Sequence, residues 1–283
     1  MRAALLLAAL LALQDAKVKE KKDIAYVDGE GDDAKRHKLD LYLPDTDKPF
    51  PVLMWIYGGG WKMGEKAMYA ELGRRFAEAG IGCAVINYRL SPDVQHPEHV
   101  KDCARAFAWI VAHIKEHGGN PDRLFVSGQS AGGHLTALLA LNPTYLEELK
   151  VPADAIKGAI PLSGVYTIPA IKRELPGLKM FKEAFGSDPE VCKEASPTTH
   201  VKNAKAPMLV ITETEDDKAL LRESMAGFKK ALEAAEIKTV EFIDAKDRNH
   251  ISIVTKLQAK GDDPVRKAMV DFIHKRCEEL DRK

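Results

Sequence analysis

Ser130 lies in the run Gly128-Gln129-Ser130-Ala131-Gly132-Gly133, with the apolar stretch Leu124-Phe125-Val126 just before it and the helix-forming stretch His134 to Leu141 after it. This pattern predicts a strand that turns at once into a helix, with the serine on the turn. Such a turn is too tight for side chains on its flanks, because a Cβ there would meet the neighbouring strand or the helix just begun. Gly128 and Gly132 satisfy that demand. The serine hydroxyl is then held clear of its own backbone. The N–H of Ala131, at the positive end of the new helix, faces the place where a carbonyl oxygen would gain charge. Pentapeptides of this kind also occur in ordinary loops, so the flanking strand and helix carry the weight of the reading.

The turn resembles that of the α/β-hydrolases, and this resemblance implies an acid and then a base after the serine in chain order, each in a loop that follows a late strand. Pro207-Met208-Leu209-Val210-Ile211-Thr212 reads as a buried strand and leads directly into Glu213, Glu215, Asp216 and Asp217. The offset from the strand end selects Asp216 as the acid, with Asp217 its rival and Glu215 behind both. The other acids suit a solvated loop and the first turn of the next helix. Lys238 to Ile243 alternates like a strand, and the polar loop after it, Asp244 to His250, ends in a histidine. His250 is therefore the expected base; His274, also beyond Asp216, falls within the amphipathic pattern of the last helix. His96 and His99 flank Pro97 and Glu98 without the further ligands that a metal site would need. A fourth part is Tyr57-Gly58-Gly59-Gly60-Trp61, after the apolar strand Val52 to Ile56. Its glycines let backbone N–H groups come close to a bound carbonyl, as the second half of an oxyanion hole requires.

From about Val52 to the C-terminus the chain resembles the α/β-hydrolase superfamily, in the branch of carboxylesterases related to hormone-sensitive lipase, kynurenine formamidase and feruloyl esterases. The resemblance rests on the Gly-x-Ser-Ala-Gly-Gly turn at Ser130, on Tyr57-Gly58-Gly59-Gly60 where relatives carry His-Gly-Gly-Gly, and on an acid and a histidine at the positions of Asp216 and His250. Asn87-Tyr88-Arg89-Leu90, Gly119-Asn120-Pro121-Asp122-Arg123 and Ser163-Gly164-Val165-Tyr166 are similar as well. It implies a triad of Ser130, His250 and Asp216, with oxyanion donors at the N–H groups of Gly59, Gly60 and Ala131 and no metal or organic cofactor. Tyr57 is a departure. The histidine of relatives braces the loop, and the tyrosine hydroxyl is expected to do the same.

The chain has 283 residues, 45% of them hydrophobic, enough for one large core. Strand-like runs near 23–28, 38–43, 51–56, 82–88, 123–127, 156–162, 207–212 and 238–243 alternate with helical patterns near 66–79, 98–117, 131–141, 217–235 and 264–280. That alternation predicts an α/β architecture, a mostly parallel eight-stranded sheet with helices on both faces and an antiparallel ribbon at one edge. The last helix is opened by Asp263-Pro264. Residues 167–206, broken by Pro169, Pro176, Pro189 and Pro197, read as a small cap insert within a catalytic domain spanning 17–283. Leu175, Leu178, Met180, Phe181 and Phe185 are its candidate pocket residues, though for most of them packing of the insert onto the domain is the better reading.

Residues 1–16 resemble a secretory signal peptide: Met1-Arg2, then an apolar run from Ala3 to Leu13, then polar sequence. The run is about 11 residues, short of the roughly 20 needed to span a bilayer. The expectation is export to the periplasm or outside the cell, without insertion in the membrane; a different role for this segment would leave the protein cytoplasmic. Four cysteines, Cys83, Cys103, Cys192 and Cys277, leave any pairing open, and Cys83 and Cys103 read as small core residues. With 42 basic and 42 acidic residues the chain offers no electrostatic case for nucleic acid as a partner. The expected partner is a neutral small-molecule ester, cleaved by a serine esterase. An arylformamidase or short-peptide amide hydrolase with the same triad is the alternative, and a non-catalytic binding module the third reading.

Overall fold

In the computed structural model, residues 17–28, 32–152, 154–171, 178–215 and 219–282 are described. Their strands are β1 (Val18–Ala25), β2 (Lys38–Pro44), β3 (Phe50–Ile56), β4 (Gly82–Ile86), β5 (Gly119–Gln129), β6 (Ile156–Leu162), β7 (Met208–Glu213) and β8 (Val240–Ala245). They form one eight-stranded sheet in the order β1-β2-β4-β3-β5-β6-β7-β8. β2 is antiparallel to both β1 and β4, and every other pairing is parallel. This is the α/β-hydrolase fold, with the antiparallel ribbon at one edge. β3 and β4 are buried along their whole length, as expected for near-continuous apolar strands covered on both faces. β1 begins earlier than its apolar residues suggest. Lys19, Glu20 and Lys21 pair with Leu43, Tyr42 and Leu41 while remaining exposed, because an edge strand needs backbone partners more than apolar side chains.

The helices are α1 (Asp32–Arg36), α2 (Ala70–Glu78), α3 (Glu98–His113), α4 (Ala131–Leu141), α5 (Thr144–Glu147), α6 (Lys179–Phe185), α7 (Pro189–Glu194), α8 (Ala219–Ala234), α9 (Ser252–Gln258) and α10 (Pro264–Asp281). α2 starts only after a 3-10 turn at Lys66–Tyr69, and α3 passes into another at Ile114–His117 that Gly118 ends with φ +84°. Asp263 caps α10 by accepting the N–H of Arg266 at 2.8 Å. α2, α9 and α10 pack on one face of the sheet, while α4 lies against β5 and β6 with α3 and a 3-10 turn at Pro197–Asn203 alongside it. α4 is buried from Ala131 to Leu139, which suits a core helix with little polar character.

The insert region folds, where described, as α6, α7 and the turn Pro197–Asn203; residues 172–177, and Leu175 with them, lie outside the described residues, as do residues 1–16. Glu194 anchors α7 to the domain by accepting the hydroxyl of Tyr145 at 2.7 Å and the amide of Asn142 at 3.2 Å, and it also meets His96 Nε2. His99 Nε2 instead meets Ser91 Oγ at 3.0 Å, so the two neighbouring histidines serve separate contacts. All four cysteines are buried and free.

The segment after β4 is fixed by a buried carboxylate. Asp102, with no exposed side-chain surface, accepts Arg89 Nε at 2.9 Å, the Arg89 backbone N–H at 3.0 Å, Arg105 Nη1 at 2.7 Å and His37 Nε2 at 3.1 Å. Burial alone would raise its pKa, but the hydrogen bonds from His37 and Arg89 outweigh it and hold the carboxyl well below the aspartate range. The stability this contributes is present above the unfolded aspartate pKa of about 3.9 and is lost as pH falls through the depressed folded value. Asp102→Asn should therefore cost roughly 3–5 kcal/mol in urea denaturation at pH 7. The gap from wild type should narrow as the pH is lowered below about 4; a gap independent of pH would mean that the charge of Asp102 is not what matters.

Candidate active site

β5 ends in the turn expected from the glycines. Ser130 adopts φ +58°, a conformation that costs a non-glycine residue on the order of 1–3 kcal/mol and persists only where its surroundings enforce it. Its N–H donates to Leu162 O on β6 at 2.9 Å, and its carbonyl accepts the N–H of His134 at 2.9 Å as α4 begins. The glycines are required by contact: a Cβ on Gly132 would lie 2.0 Å from Ile56 O, and one on Gly128 2.4 Å from the same oxygen.

Ser130 Oγ meets His250 Nε2 at 2.9 Å. On the other side of the imidazole, His250 Nδ1 meets Glu213 Oε1 at 2.8 Å. Glu213 is the last residue of β7, and its other oxygen accepts the hydroxyl of Ser163, a residue held at φ +48° just after β6. Burial pushes the Glu213 pKa up, but the bonds from His250 and Ser163 more than offset this, so the carboxyl sits below the usual glutamate range. The carboxylate seen on Nδ1 is thus one that the sequence reading passed over in favour of the loop beyond. Asp216 and Asp217 lie outside the described residues. Glu215 is described, and its N–H donates to Arg248 O at 2.9 Å. His274 is exposed on α10.

The segment bearing His250 is tied down at several points. Gln129 Nε2 donates to His250 O at 2.9 Å, so the residue before Ser130 holds the backbone of the histidine. Arg248 and Asp263 form a buried ion pair at 2.7 Å, and Asn249 Oδ1 accepts the N–H groups of Ile251 and Ser252. Neither Gln129 nor Ser163 stood out as a site residue in sequence. The position of Gln129 beside the nucleophile was the available signal for the first.

Beyond β3 the glycine loop takes conformations that need glycine: Gly59 at φ +113°, where a Cβ would meet Met63 O at 2.1 Å, and Gly60 at φ +61°. Among the described residues, no hydrogen bond to a protein acceptor is made by the N–H groups of Gly59, Gly60 or Ala131. Tyr57 braces this loop mainly by its ring, stacked on Tyr88 with centroids 4.7 Å apart; its hydroxyl reaches Tyr88 O only at 3.5 Å. The hydroxyl brace expected from the sequence is therefore marginal.

Trp61 packs against Phe181 and Phe185, with centroids 5.4 and 4.8 Å away, so these two insert residues are structural. Leu178 is partly buried against the core. Met180 differs: it is 37% exposed, and its Sδ lies 2.9 Å from where a Gly60 Cβ would be. With Met63 and Ile251, 63% and 65% exposed, it places apolar side chains next to the glycine loop and next to His250. Tyr88 and Tyr166 are fully buried, Tyr166 stacked on Phe228 at 4.3 Å.

A family model described as BD-FAE matches residues 39–232. The chain is 33% identical over 242 residues to "Probable carboxylic ester hydrolase LipM" of Mycobacterium tuberculosis, covering 81% of this chain and 55% of that protein. It is 31% identical over 244 residues to "Esterase LipQ" of the same organism, covering 82% and 57%. The chain thus spans little more than half the length of these relatives. Among solved structures, a truncated carbohydrate esterase from gut microbiota superimposes with a TM-score of 0.78 at 20% identity, covering 93% of this chain and 98% of that one; at this identity the likeness speaks for the fold.

The contact between the turn and β3 yields a direct test. Gly132→Ala places a methyl group 2.0 Å from a backbone oxygen that cannot rotate away. It should lower stability by about 1–3 kcal/mol or more. A melting temperature equal to wild type would show that α4 does not approach β3 this closely.

Proposed function

The chain belongs to the BD-FAE family, and on that basis we propose that the protein is a serine hydrolase that cleaves a small or aryl carboxylic ester through an acyl-enzyme on Ser130. The observation that carries this reading is the continuous line from Ser130 Oγ through His250 to Glu213, with contacts of 2.9 and 2.8 Å. The esterase names of LipM and LipQ support it.

In this mechanism the Ser130 hydroxyl attacks the acyl carbon and its proton passes to His250 Nε2. The carboxylate on Nδ1 fixes the tautomer in which Nε2 carries no proton, and stabilises the imidazolium once formed. The carbonyl oxygen, now carrying negative charge, is received by the N–H groups of Gly59, Gly60 and Ala131. Collapse expels the alcohol, which takes the proton from His250. Water then enters, gives a proton to His250 and attacks the acyl-enzyme; release of the carboxylic acid returns that proton to Ser130. The carboxylate is Glu213 in this reading, with Asp216 the rival that the family resemblance names. Met63, Met180 and Ile251 support apolar groups on the substrate, because they border the loop and the base with exposed hydrocarbon. Export of the protein rests on residues 1–16 alone.

Hydrolysis of p-nitrophenyl esters of graded acyl length, with an arylformamide alongside, tests the proposal. Ser130→Ala should lose roughly 10⁴- to 10⁶-fold in kcat for whichever substrate is turned over; activity that survives the substitution would remove Ser130 from the mechanism. Glu213→Gln should lower kcat by about 10⁴-fold, while Asp216→Asn changes it little. The opposite ranking would transfer the acid's role to Asp216.

A further inference from the structure

The two halves of the oxyanion hole come from different elements. The Ala131 N–H belongs to the first turn of α4, whereas the N–H groups of Gly59 and Gly60 belong to the loop after β3. Pairing of β3 with β5 sets the strands but leaves a glycine-rich loop beyond the strand end to find its own place. Both sets of donors must nevertheless converge on one oxygen to within a few tenths of an ångström.

We propose that His134 is a positioning residue for this hole, holding the glycine loop in register with Ser130 through Trp61. His134 lies one turn into α4, and its N–H donates to the carbonyl of Ser130 itself. Trp61 Nε1–H donates to His134 Nδ1 at 3.1 Å. Since Nδ1 accepts, the ring proton resides on Nε2, which donates to Ala195 O, just beyond α7, at 2.8 Å. Both ring nitrogens are therefore engaged, and the imidazole has no nitrogen left to exchange protons with a substrate.

The surroundings favour one arrangement. His134 and Trp61 are buried, their rings meet edge-on at 5.2 Å, and Phe185 packs on both. Burial pushes the His134 pKa down to about 3, so the ring stays neutral and its tautomer is kept at ordinary pH. Trp61 takes φ +58°, which a tryptophan adopts only where its environment enforces it, and its carbonyl accepts the N–H of Ser91 at 2.8 Å. Trp61 directly follows Gly60, so the bond to His134 joins the loop side of the hole to the helix side without passing through the sheet.

The proposal rests on Ser130 being the nucleophile, and its test separates the two ideas. A fluorophosphonate probe reacts with an activated serine: Oγ bonds to phosphorus, fluoride leaves, and the Oγ proton goes to His250. It needs a working oxyanion hole and no knowledge of the natural substrate. Labelling rates and melting temperatures would be measured for wild type, Ser130→Ala, Trp61→Phe, His134→Leu, the double variant Trp61→Phe with His134→Leu, and His134→Asn.

Trp61→Phe removes the N–H and keeps most of the ring packing. It should slow labelling by about tenfold to a hundredfold, the scale of a misplaced reacting geometry, with little change in melting temperature. The double variant should label no more slowly than either single one, the mark of two residues acting through one bond. His134→Asn keeps an acceptor near Nδ1 and should recover part of the rate. On any ester turned over, the loss should fall on kcat with KM unchanged, a split that general loosening of the core would not give.

Unchanged labelling in Trp61→Phe and His134→Leu, with wild type labelled at Ser130, would overturn the brace alone. A folded wild type that is not labelled would overturn the reading of Ser130 and the brace with it. If His134→Leu fails to fold, Trp61→Phe decides the matter.

Discussion

The architecture of the site depends on one close approach, the packing of the first turn of α4 against the carbonyl end of β3. Only glycine at 128 and 132 permits it, since a methyl group at either place would intrude on Ile56 O. That approach forces Ser130 into a left-handed conformation, lifts its hydroxyl off the sheet and brings the N–H of Ala131 beside the glycine loop that leaves the same strand. The strain is sustained by ordinary means: a backbone bond to β6, a helix that starts without delay, and a core on both faces of the sheet.

Around this point the polar groups are arranged by the ends of parallel strands. β5 delivers the serine, β6 delivers Ser163, β7 ends at Glu213, and the segment after β8 returns with His250. Each side chain leaves a strand end or the loop beyond it, so the spacing of the strands sets much of the spacing of the groups. Glu213 is buried yet held below its usual pKa range, which takes donors on both of its oxygens, and His250 and Ser163 occupy them. A buried carboxylate with only one donor would tend to take up a proton and lose the charge that orients the imidazole.

Much of this was legible in the sequence, for identifiable reasons. The turn at Ser130 is encoded locally by glycines, and His250 is singled out by chain order, because few histidines follow the acidic cluster. The strands of the sheet interior read directly as apolar runs. The edge strand β1 did not, because its pairing is a matter of backbone and its side chains are charged. Glu213 was passed over because counting from the strand end favoured the loop, whereas a carboxylate that meets His250 Nδ1 stands on the last residue of the strand itself. Trp61 and His134 are 73 positions apart, and each taken alone is an ordinary buried ring; only the fold brings indole and imidazole together. The insert was legible as short pieces, but not the division of labour within it, where Phe181 and Phe185 pack and Met180 stays partly open.

The bond from Gln129 to the carbonyl of His250 gives the site an unusual economy of connection. Ser130 and His250, whose side chains meet at 2.9 Å, are 120 residues apart in the chain, yet the neighbour of one grips the backbone of the other. Because this bond runs from the residue next to the serine to the carbonyl of the histidine itself, it fixes the spacing of the pair far more directly than their separation along the chain would suggest.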